Sequence, residues 1–281
     1  MERRALGTTG VSIPVVGQGT WNIGGGFSSN RAGDSAAVEA LRLGFDLGMN
    51  LIDTAEMYGA GHSEEIVAQS IQNITEPIFL ATKVSPSHFE YESVLRAANG
   101  SLKRLGVKQI DLYQLHWPNP RVPISETMKA MEKLVRDGLV RYVGVSNFSV
   151  EQMREAQESM SREKIISNQV EYSLVDKSVE TEIMPYCKKE KITIIAYSPL
   201  ALGRIPKGRG AAFKTLDMVA SVLSKTRSQV ALNWLLHDPS VVVIPKAGRK
   251  EHVRENADVS DWKLSQSQYE QLSEAFVSSP N

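Results

Sequence analysis

The sequence predicts an α/β protein, a (β/α)8 TIM barrel forming one domain over residues 1–281. Three observations carry that prediction. Short apolar runs alternate with amphipathic segments along most of the chain, and eight such strand–helix pairs are counted. Most of the runs are continuously apolar rather than alternating, as strands of a parallel sheet covered on both faces are. Several runs end on a residue able to do chemistry, and barrels place their active sites at the C-terminal ends of their strands. The length of 281 residues suits one barrel of about 250 residues with additions, and no Pro/Ser-rich linker divides it.

In order, Arg4 to Gln18 alternates loosely around Gly7-Thr8-Thr9-Gly10, which predicts a β-hairpin ahead of the barrel. Val15 to Thr20 reads as the first buried strand, with glycines that permit close approach of another backbone or a ligand. Asp34 reads as the N-cap of a helix carrying Ala37, Leu41 and Phe45 on one face. Asn50 to Asp53 is a strand, and a helix opens near Ser63. Ile78 to Thr82 runs into Lys83; a helix over Glu92 to Leu105 then stops at Gly106. Ile110 to Leu115 runs into His116, and Ser125 to Asp137 is helical up to Gly138. Strands follow at Arg141 to Val145, Ile165 to Val170 and Ile192 to Ala196, separated by helices near 149–159 and around Ile183, Met184 and Cys187. Ala201 to Arg227 departs from the alternation: a basic, glycine-rich stretch leads to a helix from about Leu216, then a second over Ser228 to His237. The last strand is Val241 to Ile244, with helices at Lys250 to Asn256 and Ser265 to Phe276.

The totals exclude several classes. With 32 basic against 32 acidic residues, the chain has no electrostatic footprint for nucleic acid or an anionic membrane. No run approaches the roughly 18 apolar residues of a membrane span, and no apolar stretch follows Met1-Glu2-Arg3-Arg4. A single cysteine, Cys187, rules out an internal disulfide and fits a cytoplasmic protein. The histidines show no metal-ligand spacing, so no metal is expected.

Four groups carry the chemistry. Asp53 and Tyr58 lie at and just past one strand end, Lys83 at the next and His116 at the one after. A phenol with a pKa near 10 is a poor proton donor or acceptor at neutral pH, and a neighbouring ammonium favours its phenolate. Lys83 supplies that ammonium, Asp53 a partner to hold it, and His116 a hydrogen bond or relay to a substrate oxygen. The set suits protonating an oxygen on which negative charge builds, as in carbonyl reduction by an external hydride, and it implies a cofactor because no residue supplies the hydride. Taken singly, each has an ordinary reading as a turn, rim or core residue; three adjacent strand ends carrying all four reverse that.

At this point the chain resembles the aldo-keto reductases over almost its whole length. The resemblance rests on Gly19-Thr20-Trp21, Ile52-Asp53-Thr54-Ala55 with Tyr58-Gly59, Ala81-Thr82-Lys83, Asp111 through Pro118, Gly144-Val145-Ser146-Asn147-Phe148, Asn168 through Tyr172, Tyr197-Ser198-Pro199-Leu200, and Ile244-Pro245-Lys246 with Glu255-Asn256. It implies that Tyr58 is the general acid, that Lys83 lowers its pKa, that Asp53 holds Lys83 and that His116 orients the carbonyl. It implies an extended NADP(H) across the barrel mouth, with NAD(H) less favoured. Gly19, Thr20 and Asp53 lie among the implied cofactor contacts. Ser146, Asn147 and Gln169 would bond the carboxamide, and Tyr197 would stack on the nicotinamide. Ser198, Leu200 and Arg204 would follow the pyrophosphate. Pro245, Lys246 and Arg249 would meet the 2′-phosphate, and Asn256 the adenine. Trp21 and Trp117 would line the substrate pocket beside Tyr58 and His116. No G-x-G-x-x-G fingerprint is present, which disfavours a doubly wound dehydrogenase.

The chain departs from the family pattern twice. His252 stands where tight NADPH binders often carry arginine, leaving Arg249 to take that role. The sequence also ends shortly after Phe276, so a shallow, open pocket for a small carbonyl compound is expected, in a monomer or weak homo-oligomer. Two other readings compete. One is a non-catalytic nicotinamide-binding regulatory subunit resembling potassium-channel β-subunits. The other is a barrel hydrolase using Asp53 with Glu56 or Glu171, which requires paired carboxylates facing one pocket.

Overall fold

A computed structural model describes residues 1–277. An antiparallel hairpin, β1 (Arg3–Ala5) and β2 (Ser12–Pro14), precedes eight parallel strands. The strands are β3 (Gln18–Gly19), β4 (Leu51–Asp53), β5 (Phe79–Val84), β6 (Ile110–Leu115), β7 (Val140–Ser146), β8 (Ile165–Glu171), β9 (Thr193–Tyr197) and β10 (Val241–Val243). They pair in sequence order from β3 to β10. The ring closes where Val16 bridges Val243, with Gly17 N–H donating to Val243 O at 2.8 Å and Val243 N–H to Val15 O at 2.9 Å.

The helices are α1 (Asp34–Asp46), α2 (His62–Ile71), α3 (Tyr91–Leu105), α4 (Ile124–Arg136), α5 (Val150–Glu158), α6 (Ile183–Glu190), α7 (Arg204–Lys207), α8 (Ala211–Leu223), α9 (Arg227–Leu235), α10 (Lys250–Ala257) and α11 (Gln266–Ala275). Each barrel strand is thus followed by at least one helix, as parallel crossovers require. The predicted barrel, its hairpin and the extra helices after the seventh barrel strand are all present. The helix read from Leu216 begins earlier, at Ala211, after the separate turn of α7.

Two apolar clusters divide the labour. Leu51, Phe79, Ala81, Leu112, Ile166, Ile195 and Val242 fill the barrel, and Leu6 and Ile13 of the hairpin region join them as a plug. The larger cluster lies between strands and helices, through Leu41, Ile66, Val94, Met131, Met153 and Trp234. Both faces of the strands are therefore buried, which is why the sequence shows continuous apolar runs.

Local chemistry corrects the start of α1. Gly33, at φ 94°, is the N-cap; Asp34 is the first helical residue and makes no capping bond. Its carboxylate instead meets the buried His62 Nε2 at 3.0 Å, tying α1 to α2. Gly19 is explained by closure. A Cβ there would lie 2.6 Å from Ile244 O, so its missing side chain admits the neighbouring backbone. Among the described residues, no helix is long and apolar enough to cross a membrane.

Candidate active site

Asp53 ends β4, Lys83 lies near the end of β5, and His116 follows β6 directly, so register alone brings three of the four groups to one mouth of the barrel. Tyr58 arrives by a tight turn. Gly59 at φ 58° is followed by Ala60 at φ 53°, a left-handed residue that bears a side chain. A Cβ on Gly59 would lie 2.4 Å from Gly24 O. Gly59 N–H donates to Gly26 O at 2.6 Å, holding the turn under the loop that follows Trp21.

The four side chains meet. Lys83 Nζ donates to Asp53 Oδ1 at 2.5 Å, to Thr54 O at 3.0 Å and to Tyr58 OH at 3.1 Å. His116 Nε2 stands 3.5 Å from the same phenol oxygen. Lys83 is fully buried and Asp53 nearly so, while Tyr58 keeps 8% of its surface at the mouth. An ammonium in such a place is tolerated only because its donors are all met.

The electrostatics follow from burial and charge. Burial works against the Lys83 ammonium, but Asp53 and the phenol oxygen together outweigh it and hold its pKa above the ordinary lysine value. Burial pushes the Tyr58 phenol up; Lys83 pulls it down without cancelling that, and Asp53 adds to the rise. The sequence gives Lys83 as the group that lowers the Tyr58 pKa. Its pull is present, but the net direction is upward, because desolvation of the phenolate is the larger effect. Burial, then Lys83, drives His116 down to about 2, so its imidazole is neutral. His116 Nδ1 is buried with no partner among the described residues.

Behind this set lies a carboxamide layer that sequence reading only half found. Asp53 Oδ2 accepts from Gln169 Nε2 at 2.8 Å and from Gln114 Nε2 at 3.2 Å. Gln169, expected at the cofactor, is therefore also spent on Asp53. Gln114 was missed, although it lies two residues before His116 and so on the same face of the β6 strand line. Both oxygens of Asp53 are thus committed, Glu56 turns outward to Ser85 and His88, and Glu171 is exposed at the end of β8, so neither carboxylate pair a hydrolase needs is assembled.

Other expected residues fall into groups. Ser146 Oγ donates to Gln169 O at 2.9 Å, Asn147 Nδ2 to Ser146 Oγ at 3.1 Å, and Tyr197 OH to Asn147 Oδ1 at 2.9 Å. Asn147 and Ser198 have left-handed backbones, at φ 62° and 47°. Arg204, Lys246 and Arg249 are exposed, Leu200 is half-buried, and Pro245 and Asn256 are buried beside Gly19. Arg249 hydrogen-bonds His252, whose Nδ1 meets Glu255 Oε2 at 3.0 Å. Thr20 is fully buried, and its hydroxyl accepts from Ser63 Oγ at 2.9 Å. Trp21 packs edge-on to Tyr58 with centroids 5.0 Å apart, and Trp117, 40% exposed, stacks on His116.

Fold and site define a (β/α)8 enzyme with its polar machinery at the C-terminal mouth. The chain belongs to the aldo/keto reductase family: that family's model matches residues 15–276. It is 36% identical over 278 residues to methylglyoxal reductase YeaE of Escherichia coli, covering 98% of this chain and 96% of that protein. The crystal structure of the thermostable aldo-keto reductase Tm1743, in complex with the inhibitor epalrestat, superposes with a TM-score of 0.94 at 40% identity, covering 98% of this chain and all of that one. An aldo/keto reductase from Klebsiella pneumoniae, solved with NADP and acetate, gives 0.88 at 33% identity, covering 100% of this chain and 98% of that one.

Proposed function

We propose that this protein is an NADPH-dependent reductase of small aldehydes and ketones, with Tyr58 as the general acid. The observation that carries the reading is the buried contact of Lys83 Nζ with Tyr58 OH at 3.1 Å, beside Asp53 and under His116 Nε2. The polar groups of Ser146, Asn147 and Gln169 and the half-exposed ring of Tyr197 fit a nicotinamide and its carboxamide. The exposed Arg204, Lys246 and Arg249 fit its phosphates, with Lys246 and Arg249 at the 2′-phosphate. Bound there, the cofactor supplies the hydride.

The chain's own part follows from its charges. Neutral His116 donates from Nε2 to the carbonyl oxygen and fixes its direction. The phenol, kept protonated by burial, hands its proton to that oxygen as charge builds there. Lys83 then faces the phenolate, and Asp53 holds Lys83 in place through the transfer. Trp21 and Trp117 shed water from the substrate side. The name of the E. coli relative supports small 2-oxoaldehydes as the first substrate class to try.

The test is NADPH absorbance with a panel of aldehydes, ketones and 2-oxoaldehydes. Steady oxidation is expected. Tight NADPH binding without turnover would instead support a regulatory subunit, and absence of nicotinamide binding would contradict both readings.

A further inference from the structure

Outside the four groups proposed for catalysis, a polar cluster surrounds Glu56 beside the Tyr58 turn. This residue lies two positions before Tyr58, and its side chain leaves the barrel mouth for the outer side of the turn. Oε1 accepts the backbone N–H of Ser85 at 2.6 Å and meets His88 Nδ1 at 2.9 Å. Oε2 faces an Arg104 guanidinium nitrogen at 4.0 Å. The Glu56 side chain is 9% exposed. Ser85 in turn lies two positions after Lys83. One carboxylate therefore ties the turn that carries the phenol to the strand end that carries the ammonium.

The same clamp has a second arm. Glu64 of α2 accepts from Thr82 Oγ1 at 2.6 Å and from Arg104 Nε at 2.6 Å. Lys83 is thus bracketed on β5 by Thr82, held by Glu64, and by Ser85, held by Glu56, with Arg104 of α3 facing both carboxylates. Gly61, which closes the Tyr58 turn, makes room for this: a Cβ there would lie 2.6 Å from Arg104 Cδ. The turn is also held to Lys83 by the Glu56 backbone N–H, which donates to Lys83 O at 3.4 Å, and inside the mouth by Thr54 O and the phenol itself. Glu56 supplies a brace that does not touch the reacting atoms.

We infer that Glu56 is a positioning residue for the Tyr58–Lys83 pair, acting through its bond to the Ser85 backbone N–H. This rests on the reading of Tyr58 as proton donor. Displacing a catalytic group by about 1 Å costs on the order of 100-fold in rate. Loss of the brace therefore lowers kcat and leaves nicotinamide binding, on the other side of the mouth, intact.

The acceptor is removed by Glu56→Ala, and the donor by Ser85→Pro. Ser85 has φ −64° and ψ 142°, angles a proline adopts, so the substitution replaces the N–H by a ring carbon that turns the Glu56 carboxylate away, and Ser85→Ala controls for the lost Oγ cap on Ser87. Glu56→Gln keeps an acceptor, and Ser85→Ala keeps the N–H. Wild type, these four variants and Tyr58→Phe are compared as full chains for kcat, NADPH Kd and melting temperature, with kcat followed against pH. The expected result is a kcat loss of about 10- to 100-fold in Glu56→Ala and Ser85→Pro, with Kd within about twofold and near-wild-type rates in Glu56→Gln and Ser85→Ala. In the two impaired variants the alkaline limb of carbonyl reduction moves to higher pH, because a phenol drawn away from its ammonium holds its proton longer. Unchanged kcat in Glu56→Ala overturns the inference, and so does a loss shared equally by Glu56→Gln with the limb unmoved. Tyr58→Phe separates the failures: if it stays active, the general-acid reading itself is wrong; if it is dead while Glu56→Ala is normal, only the brace is.

Discussion

The two halves of the barrel mouth are built differently. On the β4–β6 side, Asp53, Tyr58, Lys83 and His116 are buried; the first three bond one another, Thr54, Gln114 and Gln169, and His116 Nε2 stands 3.5 Å from the phenol. On the β9–β10 side, Arg204, Lys246 and Arg249 are exposed and hang from loops and helix starts. Under the proposed function the first half is the proton-transfer unit, and its hydrogen bonds are made within the fold. The second is a set of exposed cations that the proposed function assigns to the cofactor phosphates. Substitutions in the first should strike rate and stability together; substitutions in the second should strike cofactor affinity alone.

The sharpest way to break that contrast is Lys83→Met. It leaves the Asp53 carboxylate buried without its cation, a change that costs about 3–5 kcal/mol of stability. It also removes the ammonium that receives the phenolate, so kcat should fall by at least about 100-fold. Denaturant melts and steady-state rates check both; a variant that stays stable but is slow would show the pair to be catalytic without being structural.

Lys246→Met probes the other half. We expect the Kd for NADPH to rise about tenfold, that for NADH to hold, and kcat at saturation to change little. Fluorescence titration with both nucleotides decides it, and equal losses would remove Lys246 from the 2′-phosphate.

A further effect lies in pH. His116 in the folded chain is lowered from 6.5 to about 2, so the unfolded state takes up a proton that the folded state refuses. Stability from this group is present above pH 6.5 and is lost as pH falls below it, by up to about 1.4 kcal/mol per pH unit. His116→Asn should therefore lose less stability than wild type between about pH 6.5 and 4.5 in parallel urea titrations.

The two halves also differed in how far sequence could read them. Asp53, Lys83 and His116 each terminate an apolar run, and strand register converts that position into a place at the mouth. Gln114 escaped notice because it sits inside a run, although Lys83 pairs with it across β5 and β6. Glu56 enters the sequence reading only as a partner for Asp53 in a hydrolase, because its bond to the Ser85 N–H spans 29 residues and leaves no local pattern. The upward shift of Tyr58 was illegible for another reason: desolvation is a property of everything packed around the ring, not of its neighbours in sequence. Asp34 misled because the rule that acids cap helices ignores a buried histidine arriving from α2.

The central claim is that the Tyr58 hydroxyl delivers the proton. Tyr58→Phe removes one oxygen from a packed ring and nothing else. With saturating NADPH and methylglyoxal, kcat should drop by about 100-fold or more while NADPH binds as in wild type. A variant that still oxidises NADPH at close to the wild-type rate would contradict the account.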